Sequence, residues 1–151
     1  MKSVLIPLIL LIGFTQAGFA QTSDKQKADS NEILQLINHY SAARDSRDTV
    51  LLRQILTADV DQLVSSGEWR NGIDAAIKGM LNSSSSNSGD RKLTMEKIRF
   101  LSEHAALVDA RYIISNPDQT MQKMWSSFVV VRNKKNWQIS AIRNMLPTSG
   151  N

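Results

Sequence analysis

The chain has no cysteine, only three prolines and seven glycines in 151 residues, and 6% aromatic side chains. Without cysteine, a disulfide framework, an iron–sulfur cluster, a zinc–thiolate site and a thiol nucleophile are all excluded. There is also no run of about 18 or more apolar residues, the minimum for a membrane-spanning helix. Histidine is nearly absent: His39 and His104 stand far apart, give no metal-ligand spacing, and build no Ser-His-Asp order. Gly67 and Gly72 match the start of a phosphate-loop spacing, but Ile73 and Asp74 follow where Lys and Ser/Thr are required, and no dinucleotide-binding glycine fingerprint occurs. No bound cofactor or metal is therefore expected. What is present is 42% hydrophobic residues and a modest net charge of +4, the balance of one folded domain rather than a disordered chain.

The N-terminus reads as an address. Lys2 precedes the apolar run Val4 to Phe14, interrupted by Pro7 and Gly13, and small residues follow at Ala17, Gly18 and Ala20. This is the pattern of a secretory signal peptide over 1–20, cut before Gln21. The run is too short to anchor the chain by spanning a membrane. With no cysteine, no lipid is attached at the cut. The expected location is periplasmic or extracellular, with no membrane association after cleavage. Removing 20 of the 151 residues and one of 18 basic groups leaves 131 residues with 17 basic against 14 acidic. The calculated pI of 9.6 thus overstates the charge. Basic residues are scattered without a stripe, so nucleic acid is not expected as a partner.

Residues 21–29 are polar and aperiodic and read as a flexible leader; 30–147 form the domain and 148–151 a tail. Asp29 to Glu32 has the spacing of a capping box ahead of Ile33, Leu36, Ile37 and Tyr40, one apolar stripe of a helix over about 31–44. Asp48 caps a second helix bearing Leu51, Leu52, Ile55 and Leu56. Val60, Gln62 and Val64 alternate in a strand that turns at Ser65-Ser66-Gly67 and restarts near Trp69. Asn71 is expected to cap a third helix with the face Ile73, Ala76, Ile77, Met80 and Leu81. Asn82 to Asp90, rich in Ser, Asn and Gly, reads as a loop. Four strands then follow: 93–100 with a bulge near Lys97, 107–114, 121–131 after the turn Asn116-Pro117-Asp118, and 137–145 after Asn133 to Asn136. Helices and a short hairpin, then an antiparallel meander, make an α+β domain.

Several segments carry a resemblance that spans nearly the whole mature chain. They are the helix with Tyr40, Arg44-Asp45-Ser46-Arg47-Asp48, Ala58-Asp59-Val60-Asp61, Ser66-Gly67-Glu68, Asn71-Gly72-Ile73-Asp74-Ala75-Ala76-Ile77, and Asn136 to Met145. In order and spacing the chain resembles the nuclear transport factor 2-like superfamily, in its SnoaL-like branch with the SgcJ/EcaC group. The resemblance implies a cone-shaped, cystatin-like roll: a curved antiparallel sheet wrapped around N-terminal helices, an apolar pocket, and often a homodimer packed sheet against sheet. Against the ketosteroid isomerase chemistry of that fold, Tyr40 matches the family tyrosine, but Val64 falls at the position of the base, and Ser126 or Ser127 at that of the second acid. A steroid-type proton transfer is therefore not expected.

The candidate pocket residues are Tyr40, Gln62, Trp69, Trp125, Ser127 and Arg143. Tyr40 lies on its helix's apolar stripe, where it is either a core tyrosine or a pocket donor. Gln62 sits between Val60 and Val64 and, if buried, needs a partner worth about 1–3 kcal/mol. Trp69 and Trp125 read as core or as cavity wall. Arg143 shares strand parity with Trp137, Ile139 and Ala141; if that face is internal it needs an anion, either Asp59 or Asp61 or an acidic ligand, and Asn144 points the other way. The expected function is binding of a small apolar or aromatic molecule in the cone. The alternatives are a cofactor-independent isomerase, dehydratase or hydrolase using Asp59 or Asp61, and a dimeric interaction protein with a filled cone.

Overall fold

The computed structural model describes residues 17–86 and 89–147. The expected signal segment lies outside the described residues apart from its last four positions, as does the tail 148–151. Helix α1 spans Ala17–Ser46 and presents Ile33, Leu36, Ile37, Tyr40 and Ala43 to the core. It starts well before the expected residue 31, because nothing between Phe19 and Ser46 is Gly or Pro and the polar residues there tolerate a helix. Asp29 is consequently no cap. It is buried mid-helix, where it accepts a hydrogen bond from Arg132 of a later strand, and Lys25 pairs with Glu103 at 2.7 Å. The stretch expected as a leader is thus, from residue 24, tied to the fold at two points.

Arg47, in the left-handed region at φ 58°, closes α1, and the Asp48 amide donates back to the Ala43 carbonyl at 2.8 Å. Asp48 then caps α2 (Thr49–Ile55) as expected, its carboxylate accepting from the Leu51 amide at 2.9 Å. Strands β1 (Leu56–Leu63) and β2 (Trp69–Asn71) form the short hairpin, and α3 spans Ile73–Ser86. Asn71 belongs to β2. The helix entry is held instead by Gly72 at φ 81°, whose carbonyl accepts from the Ala76 amide. The expected loop after Asn82 is helical to Ser86; there the Ser85 Oγ donates back to the Leu81 carbonyl at 3.0 Å.

Strands β3 (Asp90–Ser102), β4 (Ala105–Ser115), β5 (Met121–Asn133) and β6 (Asn136–Met145) are the expected meander. The six strands make one curved, unclosed sheet in the order β2-β1-β6-β5-β4-β3. It is mixed rather than wholly antiparallel. β1 lies parallel to β6, a pairing that needs a long crossover, which α3 and four intervening strands supply. One face receives α1 and α3, with Val60, Val108, Ala110, Phe128, Val130, Ile139 and Ile142 beneath them. Tyr40 meets Phe128 edge to face at 5.4 Å, a geometry worth about 0.5–1.5 kcal/mol beyond area burial.

Register shifts break the alternation at four places. The one between Met95 and Lys97 is expected; those between Phe100 and Ser102, and between Leu56 and Asp61 where β1 meets β6, are not. Nor is the fourth: Ile139 pairs with Val130 and Ala141 with Val129, so Ser140 is an extra residue in β6. Trp137 and Ile139 face inward before it, and Ile142 after it. Arg143 therefore emerges on the outer face and Asn144 on the inner, the reverse of the expected parity.

Candidate functional site

At one end of the sheet, the last turn of α1, the β1–β2 turn, late α3 and the ends of β4, β5 and β6 surround a cavity of about 320 Å³. Its hydrogen-bonding wall comprises Arg44, Gln62, Arg70, Tyr112, Gln122 and Asn144, with Ser65, Ser66 and Ser83 at the edges. Val64, Ile114 and Met124 supply the apolar part. No Asp, Glu or His is among these lining residues.

Each polar group is placed by a local feature. Gln62 and Arg70 are cross-strand partners in the β1–β2 hairpin, and Arg70 Nη1 donates to Gln62 Oε1 at 3.3 Å. Arg70 Nε also donates to Glu68 Oε1 at 2.9 Å, and that hydrogen bond holds the exposed Glu68 carboxyl below its usual range. The arginine lies directly against α3 at Gly79, where a Cβ would overlap its side chain. Asn144 reaches the inner face because of the Ser140 bulge, and its Oδ1 accepts from Ser126 Oγ at 2.8 Å.

Arg44 is different. It sits one helical turn beyond Tyr40 on the same buried stripe and is only 8% exposed. Its guanidinium lies 5.6 Å from the ring centroids of both Tyr40 and Tyr112. Burial alone would disfavour its charge, but the two tyrosines outweigh that and its pKa stays raised. Burial likewise pushes the Tyr40 hydroxyl up, against the pull of Arg44. The guanidinium lies close enough to both tyrosine hydroxyls to be favoured by them, yet Arg44 Nε and the Tyr112 hydroxyl are each enclosed without a well-formed hydrogen bond of their own. Among the described residues no carboxylate lies within ion-pair distance of Arg44, whereas Arg70, Arg132 and Arg143 each have one.

The sequence candidates divide between two faces. Gln62 lines the cavity, and Tyr40 stands behind Arg44. Trp69, Trp125, Ser127 and Arg143 are on the outer face, away from it. There Arg143 makes a two-point pair with Asp61, at 2.8 and 3.0 Å, and covers the Trp69 ring at 4.7 Å. Arg111 covers Trp125 at 4.5 Å and pairs with Glu96, and Ser127 donates to Asp109. Asp61 is thus committed to Arg143, and Asp59 is exposed beside the α2 end of β1. Arg44, Arg70, Tyr112, Gln122 and Asn144 were missed. A charged residue four positions after Tyr40 on an apolar stripe was the available signal for Arg44; Asn144 was hidden by the bulge.

Comparison with solved structures decides the architecture. An NTF-2 like protein of unknown function from Shewanella oneidensis superposes with a TM-score of 0.65 at 21% identity, over 78% of this chain and 98% of that one. An ntf2-like protein with a cystatin-like fold from Novosphingobium aromaticivorans gives 0.71 at 15% identity, over 90% and 92%. The fold is nuclear transport factor 2-like. The same organism's protein named for scytalone dehydratase also shares this nuclear transport factor 2-like fold, with a TM-score of 0.69 at 16% identity over 83% and 89%. No protein-family model matches the chain, and no curated protein does. Likeness at these identities concerns the fold, and one fold hosts many activities.

Proposed function

We propose that this chain is a small-molecule-binding module whose ligand occupies the cavity at the open end of the sheet. One observation carries the reading: six hydrogen-bonding side chains from α1, β1, β2, β4, β5 and β6 converge on a recess of about 320 Å³ backed by the apolar core. That is the low end of the range for ligand pockets, which combine an apolar wall with a few placed polar groups. The expected ligand character is revised accordingly. An apolar or aromatic body fits against Val64, Ile114 and Met124, but the wall also asks for a polar head. General acid–base catalysis most often uses His, Asp or Glu, and none of these is among the lining residues.

Screening of small cyclic and linear compounds by thermal shift tests the reading. A ligand present at about 100 times its Kd adds about 2.7 kcal/mol, a rise of several degrees for a domain of this size. Gln122→Trp, at the exposed rim, fills the recess and abolishes the shift. Saturable binding that survives Gln122→Trp overturns the assignment, and turnover of a bound compound replaces the module with an enzyme.

Two further expectations belong to the same proposal. Export rests on Lys2 and the Val4 to Phe14 run, and intact mass of the secreted product tests it. A homodimer through the outer face is supported by the half-exposed Trp69 beside Leu63 and Arg143. Sedimentation equilibrium showing a monomer up to millimolar concentration would remove it.

A further inference from the structure

We propose that the cavity is a carboxylate site, in which Arg44 supplies the counter-charge for a monoanion with an apolar body. This deepens the binding reading and rests on it. The argument begins with a charge that the fold leaves unmatched. A buried guanidinium is retained in proteins when an acid or a ligand completes it. Arg132 has Asp29 and Arg143 has Asp61, while Arg44, more than nine-tenths buried, has two tyrosine rings and no acid among the described residues. Its position in the last turn of α1, at the negative end of the helix dipole, favours the cation but does not neutralise it.

The surroundings narrow the anion. Arg44 and Arg70 both line the cavity, but Arg70 is already paired with Glu68, so the pair of arginines and the one acid leave a single positive charge. The smaller recess behind Arg44 adds Arg91 and Asp45, which cancel. One charge selects a monoanion over a phosphate dianion. A planar guanidinium favours a planar carboxylate, and Arg44 Nε and the Tyr112 hydroxyl, both without partners, are donors that a carboxylate accepts from when the side chains adjust around it. Three larger recesses, about 630, 490 and 440 Å³, lie at the opposite end of the sheet around α2 and the β5–β6 turn. They lack a buried cation without an acid: Arg53 and Arg132, which line the first, are paired with Asp74 and Asp29, and Lys134 and Lys135, which line the others, are exposed to solvent.

The test uses the full chain and matched pairs of probes: benzoate with benzamide, phenylacetate with phenylacetamide, hexanoate with hexanamide, and inorganic phosphate beside them, in calorimetric titrations at constant salt. A charge-assisted hydrogen bond predicts a preference of roughly tenfold or more for the acid over its amide. Arg44→Met, and Arg44→Gln as a second variant, reduce that ratio to near one, while Arg70→Met weakens both members of a pair together. Equal binding of acids and amides by the unaltered chain overturns the carboxylate site and leaves the binding module standing. Binding of neither member overturns both. Phosphate bound more tightly than every carboxylate, or a ratio unchanged in Arg44→Met and Arg44→Gln, also overturns the proposal.

Discussion

A buried charge kept for a ligand should cost stability while the ligand is absent, and Arg44→Met measures that cost. Burial of an ion carries a penalty of several kcal/mol after relaxation. Against it stand two ring contacts at 5.6 Å, near the outer limit of a cation–π interaction and worth about 0.5–1 kcal/mol each. The enclosed Nε without an acceptor adds a further penalty of about 1–3 kcal/mol. Methionine removes the charge and the orphan donor, loses the ring contacts, and refills most of the space with a flexible apolar chain. Some void is left where the guanidinium tip was, at about 1 kcal/mol for a methyl-sized gap. The balance is a gain of about 1–2 kcal/mol, equivalent to roughly 3–8 °C in Tm. Urea unfolding at neutral pH, followed through buried Trp137, measures it. The reasoning also requires the order to reverse at saturating carboxylate. Loss of more than about 1 kcal/mol in Arg44→Met without ligand would refute it, because Arg44 would then be a structural tie between α1 and the tyrosines.

Other perturbations report on single features of the fold. Asp29→Ala leaves Arg132 with only Glu32 at 3.8 Å, so urea unfolding should show a loss of about 3 kcal/mol; a loss under 1 would mean that the N-terminal half of α1 is not docked. Gly79→Ala gains up to about 1 kcal/mol of helix propensity but displaces the Arg70 side chain, so calorimetry should find cavity ligands bound more weakly in a protein that is no less stable. Asp61→Ala breaks an ion pair that is about one-third exposed and should cost under about 1 kcal/mol, since solvent screens it. Deleting Ser140 makes the β6 ladder regular and keeps Ile139, Ile142 and Asn144 on the inner face, paired as before with Val130, Phe128 and Ser126; near-ultraviolet circular dichroism should keep its native signal, and loss of that signal would show that residue 140 is not the extra one.

Where local chemistry decided the outcome, the chain could be read directly. The stripe Ile33, Leu36, Ile37 and Tyr40 is buried as its spacing requires, Asp48 caps α2, the bulge near Lys97 is present, and Val108, Ala110, Tyr112 and Ile114 face the core together. The misreadings came from distant partners. Asp29 looks like a cap until Arg132, 103 positions later, is brought beside it. Asn82 to Ser86 has the composition of a loop, yet helix α3 continues through it and Ser84 is buried. Parallel pairing of β1 with β6 leaves no local trace either, because it depends on where the crossover returns the chain.

Arg143 and Asn144 exchanged places for a narrower reason. A strand read at strict period two assigns Arg143 to the face of Trp137 and Ile139, and from there to the pocket. One extra residue at Ser140 exchanges the faces and puts Asn144 in the cavity wall, while Arg143 joins Asp61 and Trp69 outside. Asp61, one of the two carboxylates expected of an enzyme, is paired with Arg143 on that outer face. Burial of polar residues would have been the better guide than parity. Gln62 stands between Val60 and Val64, and Arg44 follows Ala43 on the buried stripe of α1, and a polar group held in such company must be satisfied or serve something. Gln62 found Arg70 and Asn144 found Ser126. Arg44 is left with its charge unanswered at the edge of a cavity, which is why the chemistry of this chain is best sought in an acid that the cavity admits.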